Sequence, residues 1–469
     1  MRLEPIAPSL RKGRGRPDMW ELAHKADHEE AMVAELKPSL TEAEALVESY
    51  RCLECGGPYA PAPCTVACPA DVDVAGFVSA IARGEVLLAA GIIFDANPLG
   101  GTCARVCPTE VLCEGACVLE TAGQRPVDIG RLQRYATDFA FSQGATFVPG
   151  RTSALGRSVA VIGAGPAGMA FAATLTPLGY RVTVYDERPE VGGLVRYAIA
   201  PYREVQDPLP QEMERLAQSG VEFRLGTPID RPETLRAIEE ESEAIFLGVG
   251  LGVDAAIHYE GDELEGVWES LPFIEGIKTG HSPSVGRRVF VIGGGNTAMD
   301  VAREAVRLGA EEVTIVYRRT REEMPAYPHE VVEAEREGVR FLWLTLPIRL
   351  VGQERLEALT CQTMRLGEPD ASGRRRPVPV PDSEYTLPAD TVVKAMGQRA
   401  RTDFFAWIEG LRVEGGRVVA DARTGQTGNP RYFVGGDAEN GGDTVVEAVR
   451  LGKRAAHSVD RLLRGREAS

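Results

Sequence analysis

This sequence has few lysines, only short apolar runs and no recognisable N-terminal targeting pattern. Only 6 of its 52 basic residues are lysine, an imbalance that we attribute to coding bias. A typical long apolar run, Val86 to Phe94, is too short to span a membrane, and the N-terminal stretch has no apolar core of signal-peptide length. The net charge of −16 argues against nucleic acid or an anionic membrane as a partner. We therefore expect a cytoplasmic protein.

Cysteine is absent from most of the chain. Eight of the nine cysteines lie between Cys52 and Cys117, and the ninth is Cys361, which we expect to be a buried apolar residue. No redox-active C-x-x-C can lie in the later part of the chain, which disfavours enzymes of the thioredoxin reductase and lipoamide types. In a reducing cytoplasm, such clustering favours metal or cluster ligands over disulfides.

Two later segments, 158–187 and 288–319, each consist of an apolar run, a Gly-rich turn, a helical pattern and a second apolar run. The first turn matches G-x-G-x-x-G, whose glycines let the backbone approach a pyrophosphate at a helix N-terminus. Asp186 ends the second run, where its carboxylate can accept hydrogen bonds from a ribose. A Gly-rich turn without a ligand is the alternative. The residues in this first site are Gly163, Gly165, Pro166, Ala167, Gly168 and Asp186.

Two further motifs favour FAD as the ligand of the first segment. One is Gly193-Leu194, and the other is Gly436-Asp437 followed by Thr444-Val445. The pattern predicts that Asp437 binds a flavin-chain hydroxyl and that the following helix points its N-terminus at the isoalloxazine ring. For Asp437 alone, an ordinary capping role is the alternative.

The second Gly-rich turn predicts an NADPH site at Gly293, Gly295, Asn296, Thr297 and Ala298. Alanine at the third glycine position is an accepted variant of this fingerprint. The following strand ends in Arg318 and Arg319 and lacks the carboxylate that NAD would need. A guanidinium at this place can hold a 2′-phosphate in bidentate fashion, so we expect NADPH rather than NADH. Solvated surface charges are the alternative for the two arginines.

The cysteine array reads C-x₂-C-x₈-C-x₃-C-P from Cys52 and C-x₃-C-P-x₄-C-x₃-C from Cys103. The two C-P steps are typical of iron–sulfur cluster runs. Zinc is the alternative, but zinc sites favour paired C-x₂-C steps, and only one such step occurs here.

These motifs together resemble the glutamate synthase small subunit and the NADPH-oxidising half of dihydropyrimidine dehydrogenase, from about Arg51 onwards. The segments from Asn97 to Glu110 and from Ile129 to Gln133 are similar to the second of these. This resemblance implies two crossed [4Fe–4S] clusters, with Cys103 as a non-ligand. One cluster would be held by Cys52, Cys55, Cys64 and Cys117, and the other by Cys68, Cys107, Cys113 and Gln133. Sequence spacing alone would pair the cysteines in two local groups of four.

We predict an α/β fold with a helical cluster domain (1–150), an FAD domain in two parts (151–280 and 396–469) and an NADPH domain between them (281–395). The chain would pass electrons from NADPH through FAD and two clusters to a larger FMN-containing partner, and no residue is identified as a general acid or base. The alternatives are a stand-alone diaphorase, an electron-bifurcating ferredoxin:NADP oxidoreductase subunit, and a non-redox, FAD-stabilised interaction subunit.

Overall fold

The structure is a computed structural model that describes residues 35–57, 59–145, 147–148, 150, 152–255, 257–370 and 373–465. The N-terminal segment, on which the absence of a signal peptide was predicted, lies outside these residues. Within the described part, no single helix is long and apolar enough to cross a membrane, although the bent pair Val86–Ala96 and Gly100–Val106 passes this test by length and composition.

The cysteine-rich region is helical, as predicted. Its first helix begins at a capping box, because the Thr41 hydroxyl accepts from the Glu44 N–H while the Glu44 carboxylate accepts from the Thr41 N–H. The longest helix of this region, α7, has a buried face that includes Leu132 and Ala136. The helices are α1 (Glu42–Ser49), α2 (Pro63–Val66), α3 (Val74–Ala82), α4 (Val86–Ala96), α5 (Gly100–Val106), α6 (Val118–Thr121) and α7 (Ile129–Ser142).

A parallel five-stranded sheet with the order β17-β4-β1-β2-β3 forms the next layer. Its last strand, β17 (Tyr432–Val434), comes from the C-terminal part of the chain and pairs with β4. The strands are β1 (Ser158–Ile162), β2 (Arg181–Tyr185), β3 (Glu222–Arg224) and β4 (Ala244–Leu247). The helices are α8 (Pro166–Leu175), α9 (Leu194–Tyr197), α10 (Leu209–Gln218) and α11 (Pro232–Glu241), then α15 (Thr402–Phe405), α16 (Asp437–Asn440) and α17 (Val445–Gly465).

A second parallel sheet has the order β6-β13-β7-β8-β9. Its strands are β6 (Val267–Glu269), β7 (Arg288–Ile292), β8 (Glu312–Val316), β9 (Arg340–Leu342) and β13 (Thr391–Lys394), with helices α12 (Ser270–Lys278), α13 (Asn296–Arg307) and α14 (Pro328–Arg336). The chain enters this sheet at β6, before the predicted boundary at residue 281. The sequence did not indicate this, because a three-residue strand leaves no periodic pattern of apolar residues.

A third sheet is antiparallel and has three strands, β10 (Thr345–Gly352), β11 (Leu356–Pro369) and β12 (Arg375–Pro388). Cys361 is fully buried on β11, as predicted. Two short pairs complete the fold, namely β5 (Val253–Asp254) with β14 (Gln398–Arg399) and β15 (Val413–Glu414) with β16 (Arg417–Val418). In both large sheets the Gly-rich loop follows the central strand, β1 or β7, which is where open α/β sheets bind ligands.

Candidate functional site

The glycines of the first Gly-rich loop differ in what an added side chain would meet. Gly163 has φ of +103°, and a Cβ there would lie 2.4 Å from the Gly248 carbonyl oxygen, so only glycine fits. Gly168 packs the helix against the loop, since its Cβ would lie 2.0 Å from the Gly163 oxygen. Gly165 differs from both, because a Cβ there would come no closer than 3.9 Å to any non-adjacent residue. It opens into the space where a pyrophosphate could approach the N-terminus of α8.

The two predicted carboxylates both lie at this cleft. Asp186 accepts hydrogen bonds from the Ala164 N–H at 2.7 Å and the Arg188 N–H at 2.8 Å, so it shapes the loop as well as facing the cleft. Asp437 accepts one from the Asp443 N–H at 3.2 Å. Burial raises the pKa of both carboxyls. Each carboxylate retains lone pairs that can accept from a ligand hydroxyl.

A single cleft of about 1760 Å³ joins the nucleotide-binding layers to the cysteine domain. Its lining includes Asp437, then Thr444 and Val445 at the N-terminus of α17. Cys107 and Pro108 of the cysteine domain line it as well. The cleft is large enough for an extended dinucleotide, and it places one predicted cluster ligand beside the predicted flavin site. Of the other predicted FAD residues, it contains Gly163, Gly165, Pro166, Ala167, Asp186, Gly193, Leu194 and Gly436, but not Gly168.

The second Gly-rich loop repeats the geometry of the first. A Cβ on Gly293 would lie 2.1 Å from the Ala395 oxygen, whereas one on Gly295 would meet no atom within 4 Å. Asn296 Oδ1 accepts from the Tyr327 N–H at 2.9 Å, which ties the segment before α14 to the loop. Among the predicted NADPH residues, Asn296 and Thr297 lie in the shared cleft, and Gly293, Gly295 and Ala298 do not.

The two arginines predicted to bind the 2′-phosphate lie in different surroundings. Arg319 is buried; its Nε donates to the Arg375 oxygen at 2.8 Å, and its guanidinium pairs with Asp370 at 3.0 Å. Arg318 is exposed at the end of β8, and among the described residues no carboxylate pairs with it. Arg318 is therefore the better placed of the two to bind a phosphate, while Arg319 supports the loop.

The first predicted cysteine group surrounds one small cavity. Cys52, Cys55, Cys64 and Cys117 all line it, together with apolar side chains such as Val78. Burial raises the pKa of Cys64 to about 11, and the nearby Cys52 and Cys117 sulfurs add to this. Within the described chain, no three His, Cys, Asp or Glu side chains converge to hold a single metal ion. The four cysteines line a common cavity, where the iron ions of a cluster would stabilise them as thiolates.

The second cysteine group is also brought together, with one addition. Cys68, Cys107 and Cys113 are close enough to influence one another's pKa. Cys103 joins them, because a hydrogen bond with Cys103, followed by burial, raises the pKa of Cys107. Gln133 lies on α7, and its Nε2 donates to the Gly100 oxygen at 2.7 Å at the start of α5. This leaves its Oε1 without a hydrogen bond among those described, so the amide oxygen is available as a ligand.

Sequence reasoning missed the contacts that join the nucleotide-binding layers. The Tyr202 hydroxyl donates to Asp300 at 2.7 Å, and Arg203 pairs with Asp300 at 2.6 Å and with Glu330 at 2.7 Å. Burial alone would raise the pKa of Glu330. The neighbouring His329 and Arg203 outweigh burial and hold this pKa well below its usual range. These residues are distant in sequence and carry no motif, so only the fold brings them together. They connect the two nucleotide-binding layers at the cleft, which Arg203, Asp300 and Glu330 also line.

Comparisons with known proteins agree with this architecture. The family model of dihydropyrimidine dehydrogenase domain II, 4Fe–4S cluster, matches residues 29–145. That of the pyridine nucleotide-disulphide oxidoreductases matches residues 157–452. Among solved structures, Mycobacterium tuberculosis FprA in complex with NADPH aligns with a TM-score of 0.55 at 21% identity, over 66% of this chain and 86% of that one. The T. acidophilum thioredoxin reductase aligns with a TM-score of 0.51 at 18% identity, over 67% of this chain and 100% of that one. Both show the fold alone.

Curated relatives are similar along almost the whole chain. The glutamate synthase [NADPH] small chain of Halomonas elongata is 37% identical over 440 residues, 91% of this chain and 92% of that one. The Escherichia coli small chain is 36% identical over 444 residues, 91% and 93%. The beta subunit of the NADP(+)-dependent formate dehydrogenase of Moorella thermoacetica is 38% identical over 438 residues, 87% of this chain and 60% of that one.

Fold, site and comparisons define an oxidoreductase with FAD- and NADP-type dinucleotide domains behind a 4Fe–4S domain. The chain belongs to the family of the NADPH glutamate synthase small chain. The predicted resemblance, the fold class and the assignment as an oxidoreductase are thereby confirmed.

Proposed function

We propose that this chain oxidises NADPH and passes the electrons, through FAD and two [4Fe–4S] clusters, to a larger partner subunit in the cytoplasm. The observation that carries the proposal is the shared cleft, because Cys107 lines it together with Thr444 and Val445. When bound, FAD accepts a hydride from NADPH, which carries two electrons, and the clusters take up electrons singly. The chain's residues bind and orient these groups, and no side chain needs to act as an acid or base.

The residues present fit the groups that the proposal assigns to them. A Cβ on Gly165 or Gly295 would project into open space at a helix N-terminus, where a pyrophosphate can bind. The first cysteine group encloses a cavity with otherwise apolar walls. The contacts of Tyr202 and Arg203 with Asp300 and Glu330 hold the second Gly-rich loop against the flavin cleft. The chain can therefore keep a nicotinamide and a flavin in one orientation.

A partner is supported by the surface around the first cysteine group. Four large apolar side chains near these cysteines are unusually exposed, namely Tyr50, Leu53, Tyr59 and Val66. Exposed apolar side chains gathered in one region mark interaction sites. Named relatives are also small or beta subunits of larger enzymes. We infer that electrons leave through this face to a larger subunit, and we propose that this subunit contains FMN.

Anaerobically purified protein should contain about one FAD and about eight iron atoms per chain, as two four-iron clusters require. NADPH should bleach the flavin absorption and then reduce cluster iron, measured by absorbance and by electron paramagnetic resonance (EPR). Stoichiometric zinc in place of iron would contradict the cluster assignment. A flavin that NADPH leaves oxidised would instead favour the non-redox interaction subunit. Co-purification from the native host, followed by identification of the large subunit, tests the partner.

Preference for NADPH should depend on Arg318. Arg318→Ala should lower kcat/KM for NADPH about ten- to a hundredfold, the usual effect of losing one charge-assisted contact, and change that for NADH little. Steady-state kinetics with both nucleotides measure this. Arg340→Ala is the matched control, since Arg340 is an exposed arginine at the start of the neighbouring strand β9. Equal loss with both nucleotides, or equal use of both by the unmodified protein, would contradict the assignment.

A further inference from the structure

Two of the few lysines lie against the second cysteine group. Lys37 Nζ donates to the carbonyl oxygen of Cys107 at 2.9 Å and to Thr109 Oγ1 at 2.8 Å. Lys453 Nζ, from α17, donates to the carbonyl oxygens of Ala70 at 2.8 Å and Ala96 at 2.7 Å. Ala70 follows Cys68 by two residues. The Cys68 sulfur accepts hydrogen bonds from two backbone N–H groups, and one of these belongs to Ala70. The two ammonium groups therefore reach this cysteine group from opposite ends of the chain.

The atoms that accept hydrogen bonds from the two ammonium groups are neutral oxygens, although the carboxylates of Asp71 and Asp95 act on Lys453 from a greater distance. Among the described residues, no carboxylate lies within ion-pair distance of Lys453 Nζ. Lys37 has one such neighbour, Glu110, at 3.4 Å, but Glu110 is 40% exposed and Lys37 only 15%. Two further carboxylates act on this cysteine group, Glu114 on Cys113 and Asp71 on Cys68, and both raise the pKa of the thiol. The Lys37 ammonium opposes the effect of Glu114 at Cys113.

Among the described residues, no ammonium group donates to the backbone of the first cysteine group. The described side chains that line the cavity of Cys52, Cys55, Cys64 and Cys117 are all uncharged apart from the cysteines themselves. Burial raises the pKa of Cys52, and the Glu54 carboxylate adds to this. The two groups therefore differ in their neighbouring cations as well as in their ligands, and the group that the lysines contact lies at the flavin cleft through Cys107.

We propose that Lys37 and Lys453 raise the reduction potential of the cluster held at Cys68, Cys107 and Cys113, so that this cluster is the first to accept electrons from the flavin cleft. The inference rests on the proposed function. A positive charge stabilises the reduced form of a cluster, which carries one more negative charge than the oxidised form. Charge and solvent exposure around a cluster are among the factors that set its potential.

EPR-monitored potentiometric titration of the reconstituted protein tests the proposal. Lys37→Met and Lys453→Met remove a charge at nearly constant length. Each should lower the reduced-to-oxidised ratio of one cluster about tenfold at a fixed potential, which is a shift of about 59 mV for one electron. The other cluster should keep its midpoint potential. Lys37→Arg should retain most of the unmodified potential. Glu110→Gln should shift the same cluster in the opposite direction, towards higher potential.

Arg83→Gln is the matched control, because Arg83 is an exposed cation of the same domain whose ion pair among the described residues is with the exposed Glu85, at 2.9 Å. If Lys37→Met and Lys453→Met shift neither cluster more than Arg83→Gln does, or shift both equally, the proposal is overturned. Should a methionine variant lose iron, Glu110→Gln decides the matter, and no upward shift there overturns the proposal. The iron and FAD content of the unmodified protein distinguishes failure of the proposed function from failure of this inference. Absent clusters refute the proposed function itself, whereas insensitive potentials refute only this inference.

Discussion

Alanine at Cys64 and alanine at Cys117 should each remove the same cluster, and each should lower the iron content from about eight to about four atoms per chain. Alanine at Cys68 and alanine at Cys113 should each remove the other cluster. The reason is that the first pair shares one apolar cavity, whereas Cys68 and Cys113 influence each other in the second group. Loss of a thiolate ligand leaves iron with an open position and a buried site that no longer balances its charge.

Iron analysis and the EPR spectra of the four variants measure this. The two-by-two pattern distinguishes crossed from local ligation, because local grouping would make Cys64→Ala and Cys68→Ala remove the same cluster. Cys103→Ala is the control, and it should leave both clusters assembled although Cys103 lies beside Cys107. Gln133→Cys should alter the potential or the spectrum of the Cys68 cluster alone, since a thiolate donates more charge to iron than an amide oxygen. Loss of a cluster in Cys103→Ala, with no change in Gln133→Ala, would restore the local grouping.

The sequence could predict the Gly-rich loops, because their requirements are local. A loop that must turn sharply at Gly163 and bring its backbone close to a ligand at Gly165 shows this in its residues. The grouping of the cysteines could not be predicted from spacing, since it depends on how α2, α5 and α6 pack. Resemblance to a known family supplied that grouping, and the shared cavity of Cys64 and Cys117 supports it.

The contacts that set the site's surroundings were beyond sequence reasoning for a different reason. Arg203 and Asp300 are separated by 97 residues, and Lys453 and Ala70 by 383. Neither pair follows a periodic pattern, and a charged residue in a sequence gives no sign of its distant partner. The same applies to the two arginines that end β8, which looked equivalent. Only the hairpin of β11 and β12 brings Asp370 to Arg319 and leaves Arg318 exposed.

Alanine at Gly165 should abolish tight FAD binding without harming the fold. The backbone there has φ of −76°, which any residue adopts, and the added Cβ would be 3.9 Å from its nearest non-adjacent atoms. The methyl group would occupy the space that the proposed pyrophosphate needs. We expect FAD affinity to fall on the order of a hundredfold or more, about 3 kcal/mol. Fluorescence titration of the apoprotein with FAD measures the affinity, and circular dichroism checks that the fold is retained.

Gly295→Ala is the matched variant, because Gly295 has the same place in the second loop and equally open surroundings. It should bind FAD normally and remain yellow, yet NADPH should bleach its flavin far more slowly, while dithionite should still reduce it at once. Gly163→Ala would not serve, since its Cβ would clash with the Gly248 oxygen and disturb the fold whatever the ligand. Normal FAD affinity in Gly165→Ala, or loss of FAD rather than NADPH in Gly295→Ala, would show that the two loops have been assigned to the wrong nucleotides.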